Sequence, residues 1–267
     1  MLLKGRVAVL AGVGPGMGRD VALALAREGA DLVLGARRQR TLDAVADEVS
    51  ALGGRVRTVP TDITDPAQCE ALAAAAAEAF SGIDILVNNA AHGGEPALLA
   101  DADPGSVRTA VEVNLFGTLN MTKAAVPHLR ARGEGRIIMI NTNVSQVVVE
   151  GFGGYGLSKS ALLHATRHLA HELGRDGIRV NSVLAGPIWG RALQRYFGGL
   201  AEQSGLSFEE VVRRQFGTTA LGYLPPSSEV AGTVVYLASD LSRPVTGQAI
   251  RVDCGQWLAA GPPEDDR

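Results

Sequence analysis

Tyr155 and Lys159, in Tyr155-Gly156-Leu157-Ser158-Lys159, stand four residues apart, so a helix through this segment carries both on one face. A free phenol titrates near about 10 and keeps its proton at neutral pH, whereas a neighbouring ammonium favours the phenolate and lowers that value. A phenol tuned in this way can hand a proton to a substrate oxygen or take one from it. The pair alone fits an ordinary surface helix equally well, and its meaning rests on what accompanies it.

A second chemical signal lies near the start, in Gly12-Val13-Gly14-Pro15-Gly16-Met17-Gly18. The apolar run 6–11 leads into these glycines and an alanine- and leucine-rich stretch, 19–28, follows them. Strand, glycine turn and helix together aim backbone N–H groups and a helix N-terminus at a pyrophosphate. Gly12 makes the turn, Gly16 lets the backbone approach the phosphates, and Gly18 permits close helix packing. The spacing is G-x-x-x-G-x-G, and no G-x-G-x-x-G is completed.

The elements that position these groups alternate. Candidate strands are 7–11, 31–35, 56–60, 83–88, 136–141, 179–184 and 249–252; stretches of helical composition are 41–52, 66–80, 106–130, 155–173 and 228–238. This alternation implies an α/β fold, a Rossmann-like doubly wound parallel sheet of about seven strands with helices on both faces. The run Ala73 to Ala77 reads as a helix packed tightly on that sheet. We expect one catalytic domain over residues 1–260, a partly helical substrate lid at about 189–223, and a polar tail at 261–267.

In their order along the chain these motifs resemble the classical short-chain dehydrogenase/reductase family, over about residues 4–255. Asp62 after the third strand, Asn88-Asn89-Ala90 at the end of the fourth, Asn114 in Val113-Asn114-Leu115-Phe116-Gly117, Val180-Asn181-Ser182-Val183 and Val245-Thr246-Gly247-Gln248 complete the match. The resemblance implies hydride transfer between a nicotinamide and a carbonyl or alcohol. Tyr155 is then the proton donor in reduction and the base in oxidation, and Lys159 also reaches the nicotinamide ribose. Asn114 corresponds to the residue that holds a water in the proton relay; the alternative is a helix-kinking side chain bonded only to backbone. The family's serine thirteen residues before the tyrosine is Thr142 here, with Ser145 as second choice. Cofactor contacts are expected from Gly12, Gly14, Gly16, Met17, Gly18, Asp62, Ile63, Asn89, Ala90, Gly186 and Ile188. Departures from the family pattern are Pro15 where NADP-binding relatives often carry a basic residue, and Ala91, Ala185 and Gly190 in place of glycine, proline and threonine.

Cofactor preference is legible at the end of the second strand, Leu34-Gly35-Ala36-Arg37-Arg38. An acidic residue there would bind the adenosine ribose, whereas arginine pairs with a 2′-phosphate. Ala36 fills the acidic position and Arg37 and Arg38 follow, which favours NADP(H) with NAD(H) as the secondary option. The competing interpretation is that these arginines are solvated charges opening a helix.

The lid carries Trp189, Tyr196, Phe197 and Phe216 in a chain only 4% aromatic, and apolar lid side chains suit a small to medium hydrophobic carbonyl compound. Trp189, Tyr196 and Phe197 are expected to line the substrate pocket with Ser145 and His92, although each aromatic could instead glue the lid to the body or to another subunit. His164, His168 and His171 form a stripe on the helix after Tyr155, read as part of a subunit-packing face rather than a metal site. Net charge is −3 with no long basic run, which argues against nucleic acid; Cys69 and Cys254 suggest no disulfide framework; and no span of about 20 apolar residues occurs. The expectation is a cytoplasmic homotetrameric enzyme with no metal, membrane or nucleic-acid partner. Rival expectations are reduction of a C=N or other activated double bond on the same frame, and a noncatalytic nucleotide-binding scaffold.

Overall fold

Seven parallel strands form one sheet in the order β3-β2-β1-β4-β5-β6-β7. They are β1 (Val7–Ala11), β2 (Asp31–Ala36), β3 (Val56–Pro60), β4 (Ile85–Asn88), β5 (Gly135–Thr142), β6 (Ile178–Ala185) and β7 (Ala249–Val252). The computed structural model describes residues 1–217 and 219–258, so the expected tail and the final residues of the expected domain lie outside the described residues.

Helices on both faces force the strands to be apolar on both sides, and β1 is buried at all five positions. Its Ala8 and Leu10 join a core with α1 (Met17–Arg27), α2 (Gln39–Ala51) and α9 (Ser227–Ala238). Val7, Val9 and Ala11 join the opposite core with α3 (Pro66–Phe80), α5 (Thr118–Ala131) and α6 (Gly153–Leu173). The alanines of α3 do what small residues should, with Ala73 and Ala76 buried, and its Leu72 fits over Gly35, where any Cβ would fall 2.5 Å from the leucine side chain. Asp65 caps α3 by accepting from Ala67 N at 2.9 Å, with Pro66 at the first helical position.

The single helix expected over 106–130 is divided. It begins earlier, as α4 (Pro104–Val111) behind the cap Asp103, passes through a widened π turn at Glu112–Gly117, and continues as α5. The wide turn holds Asn114, whose side chain is drawn off to another segment, and Gly117, where a Cβ would come within 2.8 Å of the Ile63 side chain. The segment expected to form a lid consists of α7 (Arg191–Ser204) and α8 (Phe208–Phe216), packed around its own small core of Phe197, Ala201, Val211 and Leu224. No helix among the described residues is long and apolar enough to cross a membrane.

Strand order reverses between β1, which leads out to β2 and β3, and β4, which leads the other way. Their C-terminal ends therefore open a crevice between diverging connections, the position where such sheets bind ligands.

Candidate active site

The crevice is a cleft of about 940 Å³. It gathers every residue expected to touch the cofactor: the glycine segment from Gly12 to Gly18, Arg37, Arg38, Asp62, Ile63, Asn89, Ala90, Gly186 and Ile188, together with Thr142, Tyr155 and Lys159.

Backbone contacts set its floor. Gly12 has φ +100°, and a Cβ there would overlap the main chain at Ala90; a Cβ at Gly18 would lie 2.6 Å from Gly12 O. Asn89 N and Ala90 N both bond to Ala11 O, at 2.8 and 2.9 Å, and the Asn89 side chain donates to Gly12 O. The ends of β1 and β4 are thereby locked together. Gly14 and Gly16, by contrast, face open space, and no side chain caps the N-terminus of α1 at Gly16. Uncapped helix amides beside an open glycine turn form a cradle suited to a pyrophosphate.

Arg37 and Arg38 are exposed on the cleft wall after β2. Asp62 faces them and stays more acidic than an ordinary carboxyl, first because it accepts from Thr64 N (3.0 Å) and Thr64 Oγ1 (2.8 Å), then through the charge of Arg37. Ile63 is buried against the wide turn, and its carbonyl accepts from Asn120 Nδ2 at 3.2 Å.

At the other end of the cleft, α6 brings Tyr155 and Lys159 together as the spacing predicts, with Lys159 Nζ 5.9 Å from the phenol ring centre. The expected lowering of the phenol does not occur. Burial pushes the Tyr155 hydroxyl up to about 12 and the Lys159 ammonium down to about 8, because each charged form loses its water. Lys159 Nζ donates to Ile140 O at 2.9 Å, and its own carbonyl accepts from Asn141 Nδ2 at 3.1 Å.

The two candidate hydroxyls differ. Thr142, the last residue of β5, lines the cleft, and its Oγ1 accepts only a long bond of 3.4 Å from Val144 N. Ser145 does not line the cleft and donates its hydroxyl to Thr142 O at 2.7 Å. Thr142 therefore has the freer proton.

Asn114 is fully buried and spends its amide on other groups. Oδ1 accepts from His92 N (2.7 Å), while Nδ2 donates to His92 O and Ser158 Oγ, both at 2.8 Å. Ser158 Oγ in turn donates to Tyr155 O at 2.7 Å. The side chain is a clamp between the β4 end and the Tyr155 helix, bonded to more than backbone, and both its N–H groups are committed. Ser158, completely buried, is a member of this chain of bonds; it lies inside the Tyr155–Lys159 segment, whose spacing gives it no role.

Of the residues expected in the substrate pocket, only His92 lines the cleft. Phe197 is 1% exposed inside the lid core, with ring centres 6.3 Å from Trp189 and 6.0 Å from Tyr196. Trp189 instead borders a separate hollow of about 750 Å³ with Phe208 and Val212, and Tyr196 is exposed. These rings hold the lid together because a two-helix lid must bury an apolar face of its own before it can cover anything. The Phe216 side chain lies outside the described residues.

A family model described as enoyl-(acyl carrier protein) reductase matches residues 12–256. An uncharacterized oxidoreductase of Mycobacterium tuberculosis is 34% identical over 254 residues, covering 95% of this chain and 92% of its own. The 7alpha-hydroxysteroid dehydrogenase of Escherichia coli K12 is 30% identical over 253 residues, 95% of this chain and 94% of its own. Among solved structures, levodione reductase superposes with a TM-score of 0.89 at 27% identity over 96% of this chain and 99% of its own. NAD⁺-bound xylitol dehydrogenase gives 0.90 over 96% and 100%, at a 23% identity that speaks to the fold alone.

Proposed function

Because the chain belongs to the classical short-chain dehydrogenase/reductase family of oxidoreductases, we propose that it is an NADP(H)-dependent carbonyl reductase and secondary-alcohol dehydrogenase. Its substrate would be a small to medium apolar ketone or the matching alcohol, and the working form a cytoplasmic homotetramer. The observation that carries this reading is the single cleft shared by the glycine cradle, Arg37 and Arg38 at one end, and Thr142, Tyr155 and Lys159 at the other.

A bound nicotinamide nucleotide supplies or accepts the hydride. The chain's own groups do the rest. Amides at the start of α1 hold the pyrophosphate, Arg37 and Arg38 the 2′-phosphate, and the Thr142 hydroxyl donates a hydrogen bond to the substrate oxygen. Tyr155 passes its proton to that oxygen in reduction, and the Lys159 ammonium stabilises the phenolate left behind. Asn114 holds His92 and the Tyr155 helix in register through its side chain, which leaves its widened helical turn, rather than its amide, as the place for a relay water.

A second reading, reduction of an activated C=C or C=N bond, draws on the description of the matching family model. A substrate panel of ketones, alcohols, enoyl thioesters and imines, followed by absorbance of the reduced nicotinamide with both cofactors, separates the two. Ketone-dependent oxidation of NADPH supports the first; turnover of enoyl or imine substrates alone supports the second. Nucleotide binding without turnover on any of them would leave a scaffold. In the same assay Arg37→Ala should raise KM for NADPH about tenfold and leave NADH nearly unchanged; equal loss for both would remove the phosphate role.

A further inference from the structure

At their C-terminal ends β5, β6 and β7 lie level, Thr142 beside Ala185 and Ala185 beside Val252. The next residue of each strand, Asn143, Gly186 and Asp253, therefore falls into one cluster. Gly186 lines the cleft with Thr142, while Asn143 and Asp253 are buried behind that wall. The packing is close: a Cβ at Gly186 would fall 2.7 Å from Asp253 Cβ and 3.3 Å from Asn143 Nδ2.

Asp253 is a buried acid that the mechanism above leaves without a part. Its Oδ1 accepts from Gly255 N at 3.0 Å, and its Oδ2 accepts from Asn143 Nδ2 at 2.9 Å and, more weakly, from Trp257 N at 3.4 Å. Because both oxygens face N–H groups, a carboxylate suits the place; an amide would turn its NH₂ against a donor whichever way it lay. The backbone bends to make these contacts. Cys254 has φ +54°, in the left-handed region that side chains disfavour, and Gly255 follows at +78°. The bend is pinned from its far side by Leu221 N, which donates to Cys254 O at 3.1 Å.

Asn143 uses only half of its amide. Nδ2 serves Asp253 and, at 3.4 Å, Gln256 Oε1, whereas the buried Oδ1 has no hydrogen-bond donor. An unpaired buried acceptor destabilises a fold and calls for another reason to be kept. The Asn143 main chain supplies one: its carbonyl accepts from Gln146 N (2.8 Å) and Val147 N (3.1 Å), so this residue is the pivot of the turn that follows Thr142. We infer that Asp253 is a positioning residue, which through Asn143 fixes that turn and with it the direction in which Thr142 presents its hydroxyl to the cleft. Its effect on the reaction rests on the part proposed above for Thr142.

The test exchanges the two side chains. Asp253→Asn should lower kcat for ketone reduction about tenfold and keep KM for NADPH within about twofold, because the turn shifts while the phosphate cradle is untouched. Asn143→Asp, which sets two carboxylates together, should lose at least as much. The double variant again pairs a donor at one position with an acceptor at the other and should regain most of the lost kcat. Asn143→Ala, which removes the bond without burying a second charge, should also lose kcat, and serves in place of Asp253→Asn if that variant does not fold. Hydrogen exchange reads the brace without any substrate: the amides of Gln146 and Val147 should quicken in each single variant and slow again in the double, with β1 unchanged. If wild type reduces no ketone, the function proposed above fails and exchange alone then decides. Wild-type kcat in Asn143→Ala, no rescue in the double variant, or unchanged exchange at 146 and 147 would overturn the inference.

Discussion

Tyr155, the proposed proton-transfer residue, and its ammonium partner Lys159 are each driven toward neutrality by burial, and the consequences can be measured. Tyr155, raised to about 12, holds its proton throughout the neutral range, which suits reduction and starves oxidation of phenolate. Alcohol oxidation should therefore accelerate as pH rises from neutral, while ketone reduction should decline once pH passes about 8 and Lys159 loses its charge. Flat profiles in both directions would contradict these roles. Tyr155→Phe should lower turnover about 10²–10⁴-fold with nucleotide affinity retained, read by fluorescence titration. The lysine also bears on stability. Its folded value of about 8 lies below its ordinary 10.5, so between those values the unfolded chain binds the extra proton and stability rises with pH. The cost of burying the charge is fully present below about 8, and Lys159→Met, measured without nucleotide, should melt higher than wild type at pH 7. That advantage should shrink toward pH 10.5. That Tyr155 and Lys159 come together was legible in the sequence because their spacing encodes a shared helix face. Their proton affinities were not, since desolvation depends on what the fold places around them, and burial is what raises the phenol.

Elements whose pattern is local were legible almost to the residue: β1, β3, β7 and α3 begin and end where apolar runs, prolines and caps place them. The break at Glu112–Gly117 was not, because its cause is non-local, the attachment of Asn114 to His92 and Ser158 from elsewhere in the chain. The lid shows the same limit. Composition marked Trp189, Tyr196 and Phe197 as unusual, but whether they face substrate or one another depends on how two short helices close. Since Phe197 fills the centre of that small core, Phe197→Ala should cost about 3 kcal/mol locally. Hydrogen exchange should quicken in α7 and α8 while α3 and β1 stay protected, and KM for substrate should rise more than kcat falls. Uniform loss of protection across the sheet would mean that the lid is not an independent unit.

Over the whole molecule, both faces of the sheet are covered within one chain, so the fold itself needs no partner copy. The proposed tetramer must arise from other surfaces, and exposed Phe116 and Leu157 are apolar groups available on the outer side of the α4–α6 region. Light scattering on a sizing column should give about four times 27.8 kDa, and Leu157→Glu should shift it to smaller species; a wild-type monomer would refute the tetramer. A different consequence follows from the locked ends of β1 and β4. Main chain against main chain fixes the width of the phosphate cradle, and no side-chain substitution can widen it without breaking Gly12 against Ala90. Switching the enzyme from one dinucleotide to the other must therefore be accomplished at the rim, by exchanging Ala36, Arg37 and Arg38, with the cradle carried over unaltered.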